Sequence, residues 1–405
     1  MFIKEVIPSF VKNSRNHRSI QIEVVTYEGR FKVSAPSGKS KGKSEVASYN
    51  EEGIDKSMKL LHSFCKKIQY KNFIIKKLEE LKKLSGLMQR FESVYGKFGG
   101  NVYYAMEGAF LKAAAADNKK ELWKFINDDV NHGLKPKMPM PIGNCIGGGL
   151  HSKKIKGKRP DFQEFLLIPK EKTYSRAVTV NLYAYLYAQK LLKSRNKNDE
   201  NAWMTDKTNE EVLEILKKVA KKYNLRIGLD IASSTFYDKG YYHYKNKNLI
   251  RDKVDQVDYV ERLIKKFNIF YAEDGLQEDD FSGFTELMNG VIKTKKSKTL
   301  IVGDDLTTTN LKRTRRANGC GAINSIIIKP NQIGSILEVK KVVEFCKKNN
   351  ITMVFSHRSG ETMDNILADY CVGFGGQFLK TGIFGKERLV KIKRVMDIEK
   401  SLRWK

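Results

Sequence analysis

Long apolar runs are missing from this 405-residue chain. No stretch approaches eighteen apolar residues, so no membrane-spanning helix is predicted, and the opening MFIKEVIPSFVKNSRNHRSI lacks the apolar core of a signal peptide. A soluble, cytoplasmic protein is expected. Cysteine is scarce: Cys65, Cys145, Cys320, Cys346 and Cys371 are odd in number, scattered, and form no C-x-x-C. That argues against a disulfide framework and against a thiolate zinc site. Proline is sparse except in KPKMPMPIGN, which holds three of the eight, stops helix, and marks a domain boundary near residue 133. Acidic residues are outnumbered, 46 against 75 Lys and Arg, for a net charge of +29. Such a field attracts polyanions and says nothing about fold. Nucleic acid, an anionic membrane surface or a phosphorylated small molecule could each exploit it, and a lysine-rich proteome or a salty cytoplasm explains it as well.

The length exceeds what one hydrophobic core usually supports, so a barrel-sized domain plus a smaller one is expected. In the first part, Ile20, Ile22 and Val24 alternate up to a turn at Gly29, and a return strand runs through Phe31 and Val33. This predicts a β-hairpin, followed by helical stretches around 51–70 and 101–127. Residues 1–132 read as an α+β capping domain. From 133 to 405 short apolar runs alternate with amphipathic helices, one of which opens on a capping box at Thr208 and Glu211. Alternation of that kind implies a parallel sheet.

The apolar runs end on Asp230, Glu273, Asp304, Lys329, His357 and Lys380, about one βα unit apart. In a (β/α)8-type barrel, strand ends converge on one face, where the chemistry sits. One strand ending in Asp is most often a helix cap; six successive titratable ends define a pocket. Three carboxylates forced together raise one another's pKa unless a cation lies among them, and oxygen-only ligands favour Mg2+. Two lysines facing a dication should have depressed pKa values, so that one can act as a general base. A base held against a metal suggests removal of a proton α to a carboxylate. The SGKS run is no phosphate-binding P-loop, because Val33 stands where the first glycine is required.

The runs PSGKSKG, IGGGLHS, RPDFQEFLLIP, GLDIASSTFY, YAEDGLQEDDF, VGDDLTTTN, IIIKPNQIGS, SHRSGET and LKTG resemble, in order, the signatures of the enolase (phosphopyruvate hydratase) family from about residue 31 to 398. The resemblance implies the reversible dehydration of 2-phosphoglycerate to phosphoenolpyruvate in glycolysis and gluconeogenesis, with two Mg2+ ions per site. It places the first ion on Asp230, Glu273 and Asp304, and makes Ser40 part of the second. Lys329 would take the C2 proton. Glu200, helped by Glu164, would protonate the leaving C3 hydroxyl, with His357 near that hydroxyl. Lys380 would neutralise the substrate carboxylate, Arg358 and Ser359 would bind phosphate, and His151 would close over the substrate. A homodimer or higher oligomer is implied too. Taken singly, His151 reads as a surface histidine and Glu164 as an outward strand residue. Two further readings are a catalytically weak enolase-fold protein that binds RNA or another polyanion through KTKKSK, NLKRTRR and SKKIKGKR, and an enzyme acting on an unphosphorylated acid, which Arg358 and Ser359 oppose.

Several positions depart from the family pattern. Asn201 and Ala202 replace the glycine pair after Glu200, NSRNHRSI replaces D-S-R-G-N-P-T, Thr235 stands where an acid is usual, and Lys39 and Lys41 flank Ser40. Both loops expected at the mouth, GKSKGKS and SKKIKGKR, are strongly basic. Either they focus field on the entrance, or they are solvated loops of a basic protein. Titrating kcat/KM for 2-phosphoglycerate against ionic strength separates the two: focusing predicts a steady fall, solvated loops a flat line once specific anion inhibition is corrected.

Overall fold

The computed structural model describes residues 1–39, 41–152, 158–292 and 298–403. Three antiparallel strands lead, β1 (Glu5–Lys12), β2 (Arg18–Val25) and β3 (Arg30–Ser34). The hairpin of β2 and β3 pairs Ile22 with Val33 and Val24 with Phe31, as the alternation required. Helices follow at Ile54–Ile68, Lys82–Tyr95, Gly100–Asp117 and Leu122–Val130. The stretch 101–127, read as one helix, is therefore two. The first ends at Asp117, capped by Asn118, and the chain turns through Lys119 at φ +57, a left-handed residue that no helix continues through. Helix Lys82–Tyr95 was not foreseen.

A closed barrel of eight strands makes up the rest: β4 (Met140–Gly147), β5 (Glu164–Pro169), β6 (Leu225–Asp230), β7 (Ile269–Glu273), β8 (Leu300–Gly303), β9 (Ser325–Ile328), β10 (Thr352–Ser356) and β11 (Phe378–Lys380). Pairing of Phe378–Lys380 with Met140–Ile142 closes it. The uniform parallel sheet that the alternation implied is broken at one strand: β5 runs antiparallel to both β4 and β6. It follows β4 as a return strand, and only after it does each strand return through a helix. Of those helices, Asn209–Tyr223 opens on the expected box, with Thr208 Oγ1 accepting from the Glu211 amide and Glu211 accepting from the Thr208 amide.

The reversal of β5 matters to the site. Its first residue, Glu164, pairs with Asp230, the last of β6, so a strand start is delivered to the face where the others end. Beneath that face the barrel is filled by Ile142, Leu166, Ile168, Tyr271, Val302, Ile327, Val354 and Phe378, contributed by seven of the eight strands. The remaining strand, β6, gives Gly228, where a Cβ would press on Leu166, Ile168 and Tyr271 at 3.2 Å. The larger apolar core joins helices of the first part to Ile336, Leu337, Ile366 and Tyr370 of the barrel's outer layer. None of the described helices is long and apolar enough to cross a membrane.

Candidate active site

At the barrel mouth one cavity is lined by Gly38, Lys39, His151, Gln163, Glu164, Glu200, Asp230, Lys329, Ser356, His357, Arg358, Ser359 and Lys380. Most of the residues singled out from the sequence thus meet in one place. Glu273 and Asp304 join them through Lys380 and Lys329. Ser40 lies outside the described residues, as do 153–157 of the second basic loop.

Lys380 is the centre. It is 3% exposed, and its Nζ donates to Asp230 Oδ2 at 2.8 Å and Glu273 Oε2 at 2.7 Å and lies 3.2 Å from Glu164 Oε2. Burial works against its charge, but these carboxylates more than reverse that and raise its pKa. Lys329 pairs with Asp304. Here too burial opposes the ammonium and Asp304 outweighs it, so the pKa rises, while Asp304 is carried below its usual range against its own burial. The depressed lysines expected of the site are therefore not a property of the chain's own charges. The carboxylates that would hold a dication hold the ammonium protons instead.

The fit to Mg2+ can be tested on the donor set. Asp230, Glu273 and Asp304 are all buried oxygen donors, and Glu273 and Asp230 are register neighbours on β7 and β6. Burial first, then the Asp230 charge, drives Glu273 well above the usual carboxylate range, and its Oε1 is buried with no hydrogen-bond partner among the described residues. A crowded, oxygen-only set with an orphaned acceptor suits a hard dication. Two donor clusters lie within 4.8 Å among the described residues, His151 with Glu164 and Glu200, and Asp274 with Asp304 and Asp305. The expected triad is not one of them, because the two lysines hold its members.

Across the cavity Glu200 Oε2 lies 3.6 Å from His357 Nε2 and accepts from Asn144 Nδ2 at 3.1 Å. His151 Nδ1 stands 3.8 Å from Glu164 and 3.7 Å from Glu200. It is buried rather than on the surface, and burial lowers its pKa to about 4, which leaves it neutral at physiological pH. Glu164 is 3% exposed, not outward-facing; burial pushes it to about 8 against the pull of Lys380. Arg358 makes a two-pronged pair with Glu45, Nη1 to Oε2 at 2.9 Å and Nη2 to Oε1 at 3.0 Å. Among the described residues Ser359 Oγ, His151 Nδ1 and His357 Nδ1 are buried without a hydrogen-bond partner, so unsatisfied polar atoms gather round one chamber.

Glu45 gave no signal in the sequence, since it follows an irregular loop with no pattern. Gln332 was also missed; it donates to Asp304 Oδ1 at 3.0 Å and lies in the same KPNQIG run as Lys329. Gln163, 3.4 Å from Asp230 Oδ2, adjoins Glu164 and was within reach of that motif. Lys39 reaches from the first basic loop to Asp199 at 2.7 Å, next to Glu200.

The loop bearing Glu200 shows how the missing glycines are replaced. Asn201 takes φ +64, the left-handed region that Asn tolerates better than other side chains. Asn16, at the glycine position of the altered N-terminal motif, does the same at φ +61. Asn198 Oδ1 accepts from the amides of Glu200 at 2.9 Å and Ala202 at 3.0 Å, pinning the turn. Asn201 also fits only beside glycine: a Cβ on Gly385 would come within 2.4 Å of its Nδ2.

An eight-stranded barrel whose mouth assembles buried acids, lysines and neutral histidines round one chamber belongs to the acid–base barrel enzymes. The profile described as enolase, C-terminal TIM barrel domain, matches residues 135–405, and that of the enolase N-terminal domain matches 3–126. Enolase of Picrophilus torridus is 33% identical over 99% of both chains. That of Methanothermobacter thermautotrophicus is 31% identical over 99% of this chain and 97% of its own, and that of Pyrobaculum aerophilum 34% over 91% and 87%. The chain belongs to the enolase family. It is a hydro-lyase, phosphopyruvate hydratase, interconverting 2-phosphoglycerate with phosphoenolpyruvate and water, and Mg2+ is its cofactor.

Asn198→Ala, which unpins the Glu200 turn, should lower kcat about tenfold or more while KM moves little, and Asn201→Val, forced into a left-handed backbone, should cost about 1–3 kcal/mol in urea unfolding. A Glu164 proton held to about pH 8 predicts that kcat/KM for dehydration falls as pH rises through that value. Glu164→Gln should be slower and should lose that alkaline limb.

Proposed function

We propose that Lys329 takes the C2 proton of 2-phosphoglycerate and that Glu200 gives a proton to the departing C3 hydroxyl, which leaves as water. The observation that carries this reading is that the base, the acids and the cationic groups line one cavity. Glu164 supplies a second carboxyl on the acid side, where its raised pKa keeps the pair from being doubly charged. His357, neutral because burial and then Arg388 lower its pKa, touches the acid rather than competing for charge.

Phosphate falls to Arg358 and Ser359. The guanidinium already presents a fork to Glu45, the same planar geometry that phosphate oxygens use, and Ser359 Oγ has no partner among the described residues. Lys380 stands where it can face the substrate carboxylate as well as its three acids. His151, on the turn Gly149–Ser152, covers the acid side of the cavity. In this reading Asp230, Glu273 and Asp304 hold one Mg2+, and Ser40 belongs to a second. Bound there, Mg2+ supplies positive charge that balances the charge gained by the substrate carboxylate when C2 loses its proton, and that offsets the hold of Asp304 on Lys329. A lysine base with Mg2+ is the known pattern of the enolase superfamily, which this assignment follows.

The same reading includes two domains, 1–132 and 133–405, a homodimer or higher oligomer, and a cytoplasmic location. The family profiles support the division, ending at 126 and resuming at 135. Appearance of phosphoenolpyruvate from 2-phosphoglycerate, with Mg2+ and with chelator, tests the chemistry. Turnover should vanish on chelation, and Lys329→Ala should lose at least about 10^3-fold in kcat with its fold intact. A folded, Mg2+-loaded wild type without turnover would sink the assignment and leave polyanion binding as the reading to pursue.

A further inference from the structure

The other end of the barrel carries a second concavity. Helices Asn209–Tyr223 and Lys253–Phe267 run down to the face where β6 and β7 begin, and a cavity of about 680 Å3 opens between their ends and those strands. Its lining includes Lys170, Lys217, Lys221, Arg226, Lys266 and Lys298 and, among the described residues, no Asp or Glu. The packed barrel interior, from Ile142 to Phe378, separates it from the catalytic chamber.

Many surface lysines find acids, as Lys253 does at Glu286 (2.7 Å) and Lys247 at Glu210 (3.2 Å). Here Lys217, Lys221, Arg226 and Lys298 make no ion pair among the described residues, Lys170 donates to Asn224 Oδ1 at 3.4 Å, and only Lys266 faces an acid, Glu214 at 3.8 Å. Complementing a helix C-terminus accounts for Lys221 and Lys266, which lie in last turns, but not for the other four. Six like charges round one concavity repel one another until an anion enters.

The aromatics narrow the choice of anion. Single-stranded nucleic acid is usually held by bases stacked on open rings. Here the Arg226 guanidinium lies 4.4 Å over Phe270, the Phe270 ring packs against Phe378 at 6.0 Å, and Phe267 is buried. The cavity offers charge and volume without a stacking surface.

We propose that this cavity binds a small anion carrying several linked phosphates, either inorganic polyphosphate or the phosphate chain of a nucleotide. The test is calorimetric titration of the full chain at low ionic strength, with saturating phosphoenolpyruvate and Mg2+ occupying the active site, using tripolyphosphate, orthophosphate and ATP as probes. Tripolyphosphate should bind at least about tenfold more tightly than orthophosphate and weaken as salt rises. The double variant Lys217→Gln/Lys221→Gln and the single Arg226→Gln should each weaken it about tenfold or more, with kcat and KM unchanged. Equal affinity for ATP and tripolyphosphate would identify the phosphates alone as the ligand, and tighter ATP a nucleotide. Binding that phosphoenolpyruvate abolishes, that the variants leave unaltered, or that a single-stranded RNA oligomer displaces through the same residues would overturn the proposal.

Discussion

Everything at the mouth depends on one buried ammonium. Asp230, Glu273 and Glu164 come from three different strands, each at most 4% exposed, and carboxylates so buried cannot stay charged together without a cation among them. Lys380, from a fourth strand, touches all three. Removing one partner of such a group typically costs about 3–5 kcal/mol, because the others are left buried and unpaired. The same contacts fix how far apart β5, β6, β7 and β11 sit at their catalytic ends, so site geometry and barrel closure are set by one constraint. Lys329 with Asp304 and Arg358 with Glu45 repeat the arrangement on a smaller scale.

The cavity's electrostatics follow from this. In the chain's own field both lysines hold their protons, Asp304 is held charged by Lys329, and burial favours the neutral carboxyls of Glu164 and Glu273. Charge within the chamber is therefore nearly balanced, and its unsatisfied atoms among the described residues include a serine hydroxyl, two imidazole nitrogens, a glutamine oxygen and carboxyl oxygens of Glu164 and Glu273. An anionic substrate meets a wall already arranged for it at little reorganisation, which is what electrostatic stabilisation of a reacting group requires.

The barrel was legible because its strands end on titratable residues, a pattern no surface requirement produces six times in succession. Its hairpin and capping box were equally local. The reversal of β5 was not legible, since RPDFQEFLLIP reads as an apolar strand in either direction and only pairing sets its sense. Glu45 escaped because its partner, Arg358, lies 313 residues away, with no periodicity to join them. Asn201 stood out in the sequence only as a departure, and the left-handed backbone it takes, one that glycine adopts freely, is visible only in the structure. A lysine's protonation was misjudged for a different reason: it depends on which cation occupies the carboxylates, and composition does not carry that.

The closing seam has a consequence for the order in which the protein can be made. β4 and β5 are near neighbours in the chain and can pair early, whereas β11 must find β4 across more than half of the polypeptide. Lys380 arrives with that last strand. On a ribosome, the three acids emerge long before the ammonium that makes their burial tolerable. The finished mouth thus forms in the same event that completes the barrel, and a nascent chain halted short of its final strand would carry the acids without the balance on which the enzyme depends.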